Sequence, residues 1–243
     1  MNLGEGQGAV GYTRGVTRPE RPPGGWFITL EGPEGAGKTT QTVALADHLA
    51  TRGLDVHVTR EPGGTWLGER LREVLLARTD PVAPTEPLTD ALLFNAARRQ
   101  LVTEVIRPGL EAGRTIVCAR FADSTLAYQG FGAGVSLDTL RALEATATDG
   151  LKPDLTIILD IRVEEGLARV APGDVTRFEA EFDLAFHRRV RDGFLALAAA
   201  EPDRFVVVDA GLPAGEVAAA VAAAVDRRIG LDEPKPSAMR TTG

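Results

Sequence analysis

Short apolar runs alternate with longer amphipathic stretches through most of this chain. The short runs are apolar or β-branched and mostly end at a polar or glycine-rich turn, which predicts five strands: Trp26–Glu31, Val56–Thr59, Thr115–Ala119, Leu155–Asp160 and Arg204–Asp209. The longer stretches predict seven helices: Lys38–Arg52, Leu67–Leu76, Asp90–Glu111, Leu137–Ala147, Val163–Val170, Glu179–Ala200 and Ala214–Arg228. Strands that alternate with helices form right-handed crossovers in a parallel sheet. The pattern therefore predicts an α/β fold with one five-stranded parallel sheet and helices on both faces.

The two ends of the chain lack this pattern. Residues 1–25 are rich in glycine, proline and arginine, show no apolar periodicity, and predict a flexible N-terminal extension. Residues 230–243 predict a flexible C-terminal tail for the same reason. The whole chain has 243 residues, 44% of them hydrophobic, so residues 26–229 are expected to form a single domain around one core.

The overall charge and the cysteine content narrow the range of partners. The formal net charge is −7, whereas a surface that binds nucleic acid needs a cationic face, so we expect small-molecule substrates and no nucleic acid. Cys118 is the only cysteine and cannot form an intramolecular disulfide, which suits a reducing cytoplasm. No apolar run has the length of a membrane span or of a signal peptide's core. These features predict a cytoplasmic protein that does not enter a membrane.

A glycine-rich loop follows the first predicted strand and opens the first predicted helix. It matches the pattern of a phosphate-binding loop, in which backbone N–H groups and the helix N-terminus converge on the phosphates of ATP. Lys38 is expected to reach the β- and γ-phosphates, and the Thr39 hydroxyl to bind Mg²⁺. A chance glycine-rich turn is the alternative, but the strand before the loop and the helix after it are the context that the pattern requires. The predicted nucleotide-binding residues are Gly32, Pro33, Glu34, Gly35, Ala36, Gly37, Lys38, Thr39 and Thr40.

Several segments between Trp26 and Ala210 resemble the thymidylate kinase family and follow one another in the same order. They are residues 27–41 around the loop, 59–65, 93–98, 120–130, 151–160 and 177–179. The resemblance implies a P-loop nucleoside monophosphate kinase fold with a short lid at about 170–177. It also implies that the chain uses ATP and Mg²⁺ to phosphorylate dTMP, and that it forms a homodimer.

The same resemblance assigns an acceptor site. It implies that Arg60 and Arg120 hold the acceptor phosphate, that Phe94 stacks on thymine, and that Arg98 donates hydrogen bonds to the base. Phe94 and Arg98 are four residues apart and therefore share one face of a helix. It places Tyr128 under the sugar, where it disfavours a 2′-hydroxyl. The remaining residues assigned to this site are Glu61, Ser124, Thr125 and Gln129.

Plainer interpretations of the same side chains stay open from residue chemistry alone. Phe94 and Tyr128 also suit a hydrophobic core, while Arg60 and Arg98 also suit a solvated surface. Residues 171–176 match the position of a mobile lid that excludes water on closing, but an ordinary exposed loop is the alternative. Arg169 and Arg177 flank this segment. We expect Arg177, with Lys38 and Arg120, to stabilise charge during catalysis.

Two acidic residues of the resembled family are replaced in this chain. Ala119 stands where an aspartate normally precedes the arginine after the third strand, and Thr176 stands where an aspartate precedes the Arg-Phe-Glu segment. A carboxylate at the end of a central strand ordinarily orients the acceptor or the water shell of the metal, so its loss is expected to slow turnover. Two alternatives to a dTMP kinase therefore stay open: a kinase for a modified pyrimidine nucleotide, and a nucleotide-binding homologue with little or no turnover.

Overall fold

The computed structural model describes residues 24–77 and 85–231. Most of the two predicted extensions lies outside these ranges. The described part contains one sheet of five parallel strands in the order β2-β3-β1-β4-β5. The strands are β1 (Phe27–Glu31), β2 (Val56–Arg60), β3 (Thr115–Ala119), β4 (Leu155–Asp160) and β5 (Phe205–Asp209). This arrangement confirms the predicted fold class, and each strand lies within one residue of its predicted bounds.

The helices follow the predicted order along the chain. They are α1 (Lys38–Thr51), α2 (Trp66–Leu76), α3 (Pro87–Leu101), α4 (Arg107–Glu111), α5 (Ala122–Thr125), α6 (Leu137–Thr148), α7 (Val163–Arg169), α8 (Arg177–Glu181), α9 (Leu184–Ala200) and α10 (Ala214–Ile229). Wider π turns at Val102–Ile106 and Leu126–Gly132 join α3 to α4 and extend α5. Within the described residues, no helix combines the length and the apolar character needed to cross a lipid bilayer.

Two predicted helices need correction, and one helical segment was not predicted. The helix predicted at Asp90–Glu111 begins at Pro87, because proline suits the first turn of a helix. The helix predicted at Glu179–Ala200 is broken before Leu184, where the Asp183 side chain accepts the N–H of Phe186 (2.8 Å) and caps a new helix. The helical segment Ala122–Gly132 was not predicted, because it contains glycines and lacks a clear apolar period.

The central strand β1 separates two packed layers. Ile28 and Leu30 face α1 and α10 in one cluster, whereas Phe27 packs on the opposite face among side chains from α3 and the segment after β3. Side chains alternate between the faces of a strand, so a completely buried strand must be apolar on both sides. Because all five strands are parallel, the loops after β1, β2 and β3 meet at one edge of the sheet. Parallel α/β folds bind ligands at this edge.

Candidate active site

The loop between β1 and α1 has a shape that only glycine permits at two positions. Gly32 and Gly35 have φ angles of 139° and 67°, in the region that favours glycine. A Cβ atom on Gly32 would lie 2.4 Å from the Leu159 carbonyl oxygen, and one on Gly35 would lie 1.8 Å from that of Gly166. The loop is therefore fixed against the chain after β4, with its last residues opening α1.

Lys38 lies folded over this loop. Its Nζ donates to the carbonyl oxygens of Gly32 (3.0 Å) and Pro33 (2.6 Å). Burial, and next the positive charge of Arg120, lower the pKa of Lys38 to about 7, although Glu34 and Glu31 oppose the shift. A polyphosphate at the N-terminus of α1 would replace the two carbonyls as the partner of this amine. Thr39 is exposed in the first turn of the same helix.

A cleft of about 980 Å³ opens beside the loop at the carboxyl ends of β1, β2 and β3. It brings together most of the predicted site residues: Glu34, Gly35, Gly37, Lys38, Thr39, Thr40, Glu61, Phe94, Arg98, Arg120, Ser124, Thr125, Tyr128 and Gln129. Five predicted residues do not line it: Gly32, Pro33, Ala36, Arg60 and Arg177. The phosphate loop and the predicted acceptor residues thus share one cavity.

Arg120, Glu34 and Tyr128 form a charged cluster in the middle of this cleft. Arg120 donates to both carboxylate oxygens of Glu34 (2.9 Å each) and to the Tyr128 hydroxyl (3.2 Å), which itself donates to Glu34 (2.7 Å). Burial alone would raise the pKa of Glu34, but the charge of Arg120, with that of Lys38, lowers it to about 2. Tyr128 is buried, as the core interpretation predicted, yet its hydroxyl belongs to the cleft.

Arg98 occupies the far end of the cleft and is only 1% exposed, so the solvated interpretation is wrong. Its Nε donates to Glu61 Oε2 (2.9 Å), and its Nη2 donates to Thr125 Oγ1 (3.0 Å) and to the Phe121 carbonyl (3.1 Å). Burial raises the pKa of Glu61 to about 7 although Arg98 acts to lower it. Phe94 lies one turn earlier on α3 and lines the cleft. The hydrogen bonds hold the Arg98 guanidinium in one orientation, with Cζ 5.4 Å from the centroid of the Phe121 ring.

Arg60 and Arg177 do not line the cleft in this structure, and the position of Arg60 matches the surface alternative. Arg60 is about half exposed and pairs with Glu69 (3.0 Å) outside the cleft. Arg177 is 3% exposed, pairs with Asp90 (2.7 Å) and donates from Nε to the Leu75 carbonyl (2.5 Å). The family resemblance assigned Arg60 to the acceptor phosphate, and Arg177 was expected to stabilise charge during catalysis. In this structure both side chains pair with acidic residues of the protein.

The predicted lid lies along the rim of the cleft. Val170, Ala171, Gly173, Val175 and Thr176 line the cavity, and a short 3₁₀ turn at Pro172–Asp174 shapes the middle of the segment. Thr176 ends it by capping α8: its hydroxyl accepts the N–H of Phe178 (3.2 Å). Glu179 accepts the N–H of Thr176 in return (2.6 Å), which completes a capping box. Between 170 and 176 the chain carries no basic side chain.

Comparisons with known proteins agree with this geometry. A thymidylate kinase family model matches residues 30–221. The thymidylate kinase of Deinococcus radiodurans is 56% identical over 205 residues, which cover 84% of this chain and 98% of that protein. The chain belongs to the thymidylate kinase family. The thymidylate kinase of Thermomicrobium roseum is 54% identical over 82% of this chain and 94% of that protein. The crystal structure of the Ehrlichia chaffeensis thymidylate kinase superposes with a TM-score of 0.67 at 34% identity, over 84% of this chain and 99% of that one.

As a member of this family, the chain is a nucleoside monophosphate kinase. The family match and the relatives give no support to the two alternatives, a kinase for a modified nucleotide and a homologue with little turnover. Ala119 and Thr176, which replace two acidic residues, are therefore a variation within the thymidylate kinase family.

Ala119 ends β3 on the side of the sheet that faces α1. It is the register partner of Leu30, whose side chain packs in the α1 cluster, whereas Glu31 points to the opposite face. Glu31 therefore cannot supply the carboxylate that Ala119 lacks. Asp160 ends β4, but both of its oxygens accept from Arg191 (2.6 and 2.8 Å). In this kinase β3 therefore ends at the methyl side chain of Ala119, where the resembled family has a carboxylate.

Several cleft residues of the kinase were missed by sequence reasoning: Pro62, Arg72, Leu76, Phe121 and Phe178. Arg72 and Leu76 are four residues apart on α2 and share one face of the helix. Assigning either residue to the cleft would therefore have predicted the other from the sequence. Arg72 also donates to the Pro62 carbonyl (3.0 Å), which ties α2 to the turn after β2. Phe178 follows the lid directly, and its contact with Phe94 (ring centroids 6.3 Å apart) depends on tertiary packing.

Proposed function

We propose that this kinase transfers the γ-phosphoryl group of ATP to dTMP and forms ADP and dTDP. The observation that carries the proposal is the shared cleft, in which the phosphate loop lies at one end and Phe94 and Arg98 lie at the other. Arg120 lies between them. No protein nucleophile is needed, because an acceptor phosphate oxygen attacks the γ-phosphorus directly. Catalysis then consists of positioning and charge stabilisation.

At the donor end, Lys38 and the backbone N–H groups of the loop suit the triphosphate of ATP. Glycine at positions 32 and 35 lets the loop backbone pack against the carbonyls of Leu159 and Gly166, where any Cβ atom would clash. The loop held in this shape leads into the N-terminus of α1, where N–H groups favour phosphate. The exposed Thr39 hydroxyl is the ligand that a P-loop offers to Mg²⁺. Among the described residues, no group of three or more histidine, cysteine or acidic side chains is arranged to hold a metal. This donor set fits a Mg²⁺ ion held mainly by nucleotide phosphates and water, which neutralises phosphate charge when bound.

At the acceptor end, the side chains suit a pyrimidine deoxynucleotide. Phe94 offers a stacking surface. Arg98 commits four of its five N–H donors to Glu61, Asn95, Phe121 and Thr125, which leaves one Nη1 N–H for a ring carbonyl. Thr125 and Gln129 also line the cleft and can add polar contacts. Arg120 would exchange part of its contact with Glu34 for the acceptor phosphate. Tyr128, held by both residues, crowds the sugar on its 2′ side. The predicted contact of Arg60 with the phosphate requires its side chain to leave Glu69.

The lid completes the proposed reaction. Its residues line the cleft above the loop, so that movement toward the nucleotides would exclude water from phosphoryl transfer. Arg169 is the basic side chain placed at its start and donates to the Ala210 carbonyl (2.8 Å). The role that the sequence gave to Arg177 requires its side chain to leave Asp90, at the cost of exposing a buried pair.

We further propose a homodimer that works in the cytoplasm on small nucleotides, without nucleic-acid or membrane partners. α2 and α3 pack on each other and expose large apolar side chains, among them Trp66 (77%), Val74 (65%) and Leu92 (50%). A second copy of the chain is a suitable cover for such a surface. Sedimentation should give a dimer that Trp66→Glu converts to monomer. A wild-type monomer at micromolar concentration would contradict this part of the proposal.

The experiment that tests the function follows dTDP directly. ATP, dTMP, Mg²⁺ and the wild-type chain should yield ADP and dTDP in equal amounts, and Lys38→Ala should abolish the product. Lys152→Ala is the matched control, because Lys152 is an exposed lysine far from the loop that pairs weakly with Glu201 (3.8 Å). Product formation by Lys38→Ala at the wild-type rate would overturn the assignment of the phosphate loop.

A further inference from the structure

Glu31 is a completely buried acid that the proposed mechanism does not use. It is the last residue of β1, with an exposed fraction of 0%. Its two carboxylate oxygens have different partners: Oε1 accepts the backbone N–H of Phe121, and Oε2 accepts the hydroxyl of Ser124, both at 2.6 Å. Both partners follow β3, so a single carboxylate fastens the first turn after that strand.

That turn begins with Arg120, whose backbone is in an unfavourable conformation. Its φ angle is 67°, a left-handed value that is strained for a non-glycine residue and persists only where the surroundings enforce it. The Arg120 N–H donates to the Leu30 carbonyl (2.9 Å), and the Cys118 thiol donates to the Arg120 carbonyl (3.1 Å). The bond from Phe121 N–H to Glu31 fixes the very next peptide.

Glu31 also acts on the Arg120 side chain through Ser124. The Ser124 hydroxyl donates its only proton to Glu31, and its oxygen accepts from Arg120 Nη1 (3.2 Å). A hydroxyl whose proton is committed in this way must present lone pairs to its other neighbour. The guanidinium is thereby directed toward the cleft, where it meets Glu34 and Tyr128.

We propose that Glu31 is a positioning residue for Arg120, and that it sets the affinity of the kinase for the phosphate of the acceptor nucleotide. Its carboxylate acts on the backbone through Phe121 and on the side chain through Ser124. The inference rests on the proposed function, because it takes Arg120 as the residue that binds this phosphate. Asp123 and Arg120 are the charged neighbours of the carboxylate. Burial, and next the charge of Asp123, raise the pKa of Glu31 to about 7.

The test compares two ligands that differ only by the phosphate. The dissociation constants of thymidine and dTMP are measured by calorimetry on the full chain. The thymidine constant divided by the dTMP constant measures how much the phosphate adds to the affinity. In Glu31→Gln the amide keeps one acceptor oxygen, so the ratio should fall by about tenfold, as expected for one charge-assisted contact. Ser124→Ala should lower it as well, and Glu31→Ala by more. In Glu31→Gln, thymidine affinity and the affinity for a non-hydrolysable ATP analogue should stay at wild-type values.

Thr29→Val is the matched control. Thr29 is a buried polar residue two positions earlier on the same face of β1, and its hydroxyl bonds to Thr156 (2.8 Å), so its loss should leave the ratio unchanged. If Arg120→Ala lowers the ratio but Glu31→Gln and Ser124→Ala do not, Glu31 has no positioning role and the inference is overturned, while the proposed function stands. If Arg120→Ala also leaves the ratio unchanged, the assignment of Arg120 to the phosphate fails and the inference fails with it.

Discussion

Arg177 and Asp90 form an ion pair of 2.7 Å with side chains only 4% and 5% exposed. The pair joins the first residue after the lid to helix α3. The same arginine donates to the Leu75 carbonyl on α2 and lies over the ring of Phe178, with Cζ 4.7 Å from its centroid. Asp90 is spaced four residues before Phe94 on α3, so the helix face that holds the end of the lid also presents the Phe94 ring to the cleft.

This burial predicts a role of Arg177 in stability. Arg177→Ala leaves the Asp90 carboxylate without its buried counterion, and we expect the free energy of unfolding to fall by about 3–5 kcal/mol in urea denaturation. Arg169→Ala, at the exposed start of the lid, should cost no more than about 1 kcal/mol. An Arg177→Ala variant that unfolds like the wild type but has lost turnover would contradict this view. That result would instead support the role in catalysis that the sequence suggested for Arg177.

The two arginines at the ends of the lid show which features a sequence can and cannot reveal. Strands β1, β3 and β4 are short runs of mostly apolar or β-branched residues, and the loop after β1 needs glycine at fixed positions, so each was predicted within a residue. The direction of a long side chain has no such local signal. Arg177 meets Asp90 only because α3 packs beside the lid, and that contact arises from tertiary structure.

The acceptor half of the cleft was predicted mainly through family resemblance. Spacing alone placed Phe94 and Arg98 on one face, but it could not show that Glu61 from the turn after β2 meets Arg98 inside the protein. The segment after β3 was not predicted as a helix, because its wide turn lacks a 3.6-residue apolar period. The contacts of Glu31 with Phe121 and Ser124 could not be predicted from the sequence either, because an acid that ends a strand is usually expected to face a ligand.

The depressed pKa of Lys38 predicts how ATP binding depends on pH. With a pKa of about 7 in the free protein, caused first by burial and then by Arg120, the amine loses its charge as the pH rises above 7. Phosphates favour the charged form, so binding should take up a proton and weaken between pH 7 and 9. Calorimetry in buffers of different ionisation enthalpy measures this uptake. Lys38→Arg stays charged and should show none; equal uptake by both proteins would contradict the prediction.

The missing carboxylate at Ala119 predicts a gain of function. Ala119→Asp places an acid at the end of β3 on the face of α1, near the expected metal and γ-phosphate. We expect kcat to rise by about 10²–10³-fold, the usual effect of one electrostatic stabiliser, with little change in ATP affinity. Ala119→Asn is the uncharged control of equal size and should give no such gain. A wild type that already turns over at about 1–100 s⁻¹ and that Ala119→Asp does not improve would show that another group does this work.

Thr176→Asp makes a smaller change at the other altered position. Aspartate caps helices as well as threonine does, so α8 and the Arg177–Asp90 pair should be retained. We expect a gain in kcat smaller than that of Ala119→Asp, because Thr176 lies on the rim of the cleft. Thermal unfolding of the variant should match the wild type. A loss of stability greater than about 1 kcal/mol would show that the capping box depends on the threonine itself.

The central claim is that this chain is a kinase for dTMP, and its most direct test is the specificity constant across a panel of acceptors. ADP release is measured with ATP, Mg²⁺ and dTMP, UMP, dCMP, AMP or GMP at varied concentration. Because Phe94, Arg98 and Tyr128 suit a pyrimidine deoxynucleotide, kcat/KM should be highest for dTMP and lower by at least about 100-fold for either purine. A preference for AMP or GMP, or binding of dTMP without release of ADP, would contradict the account.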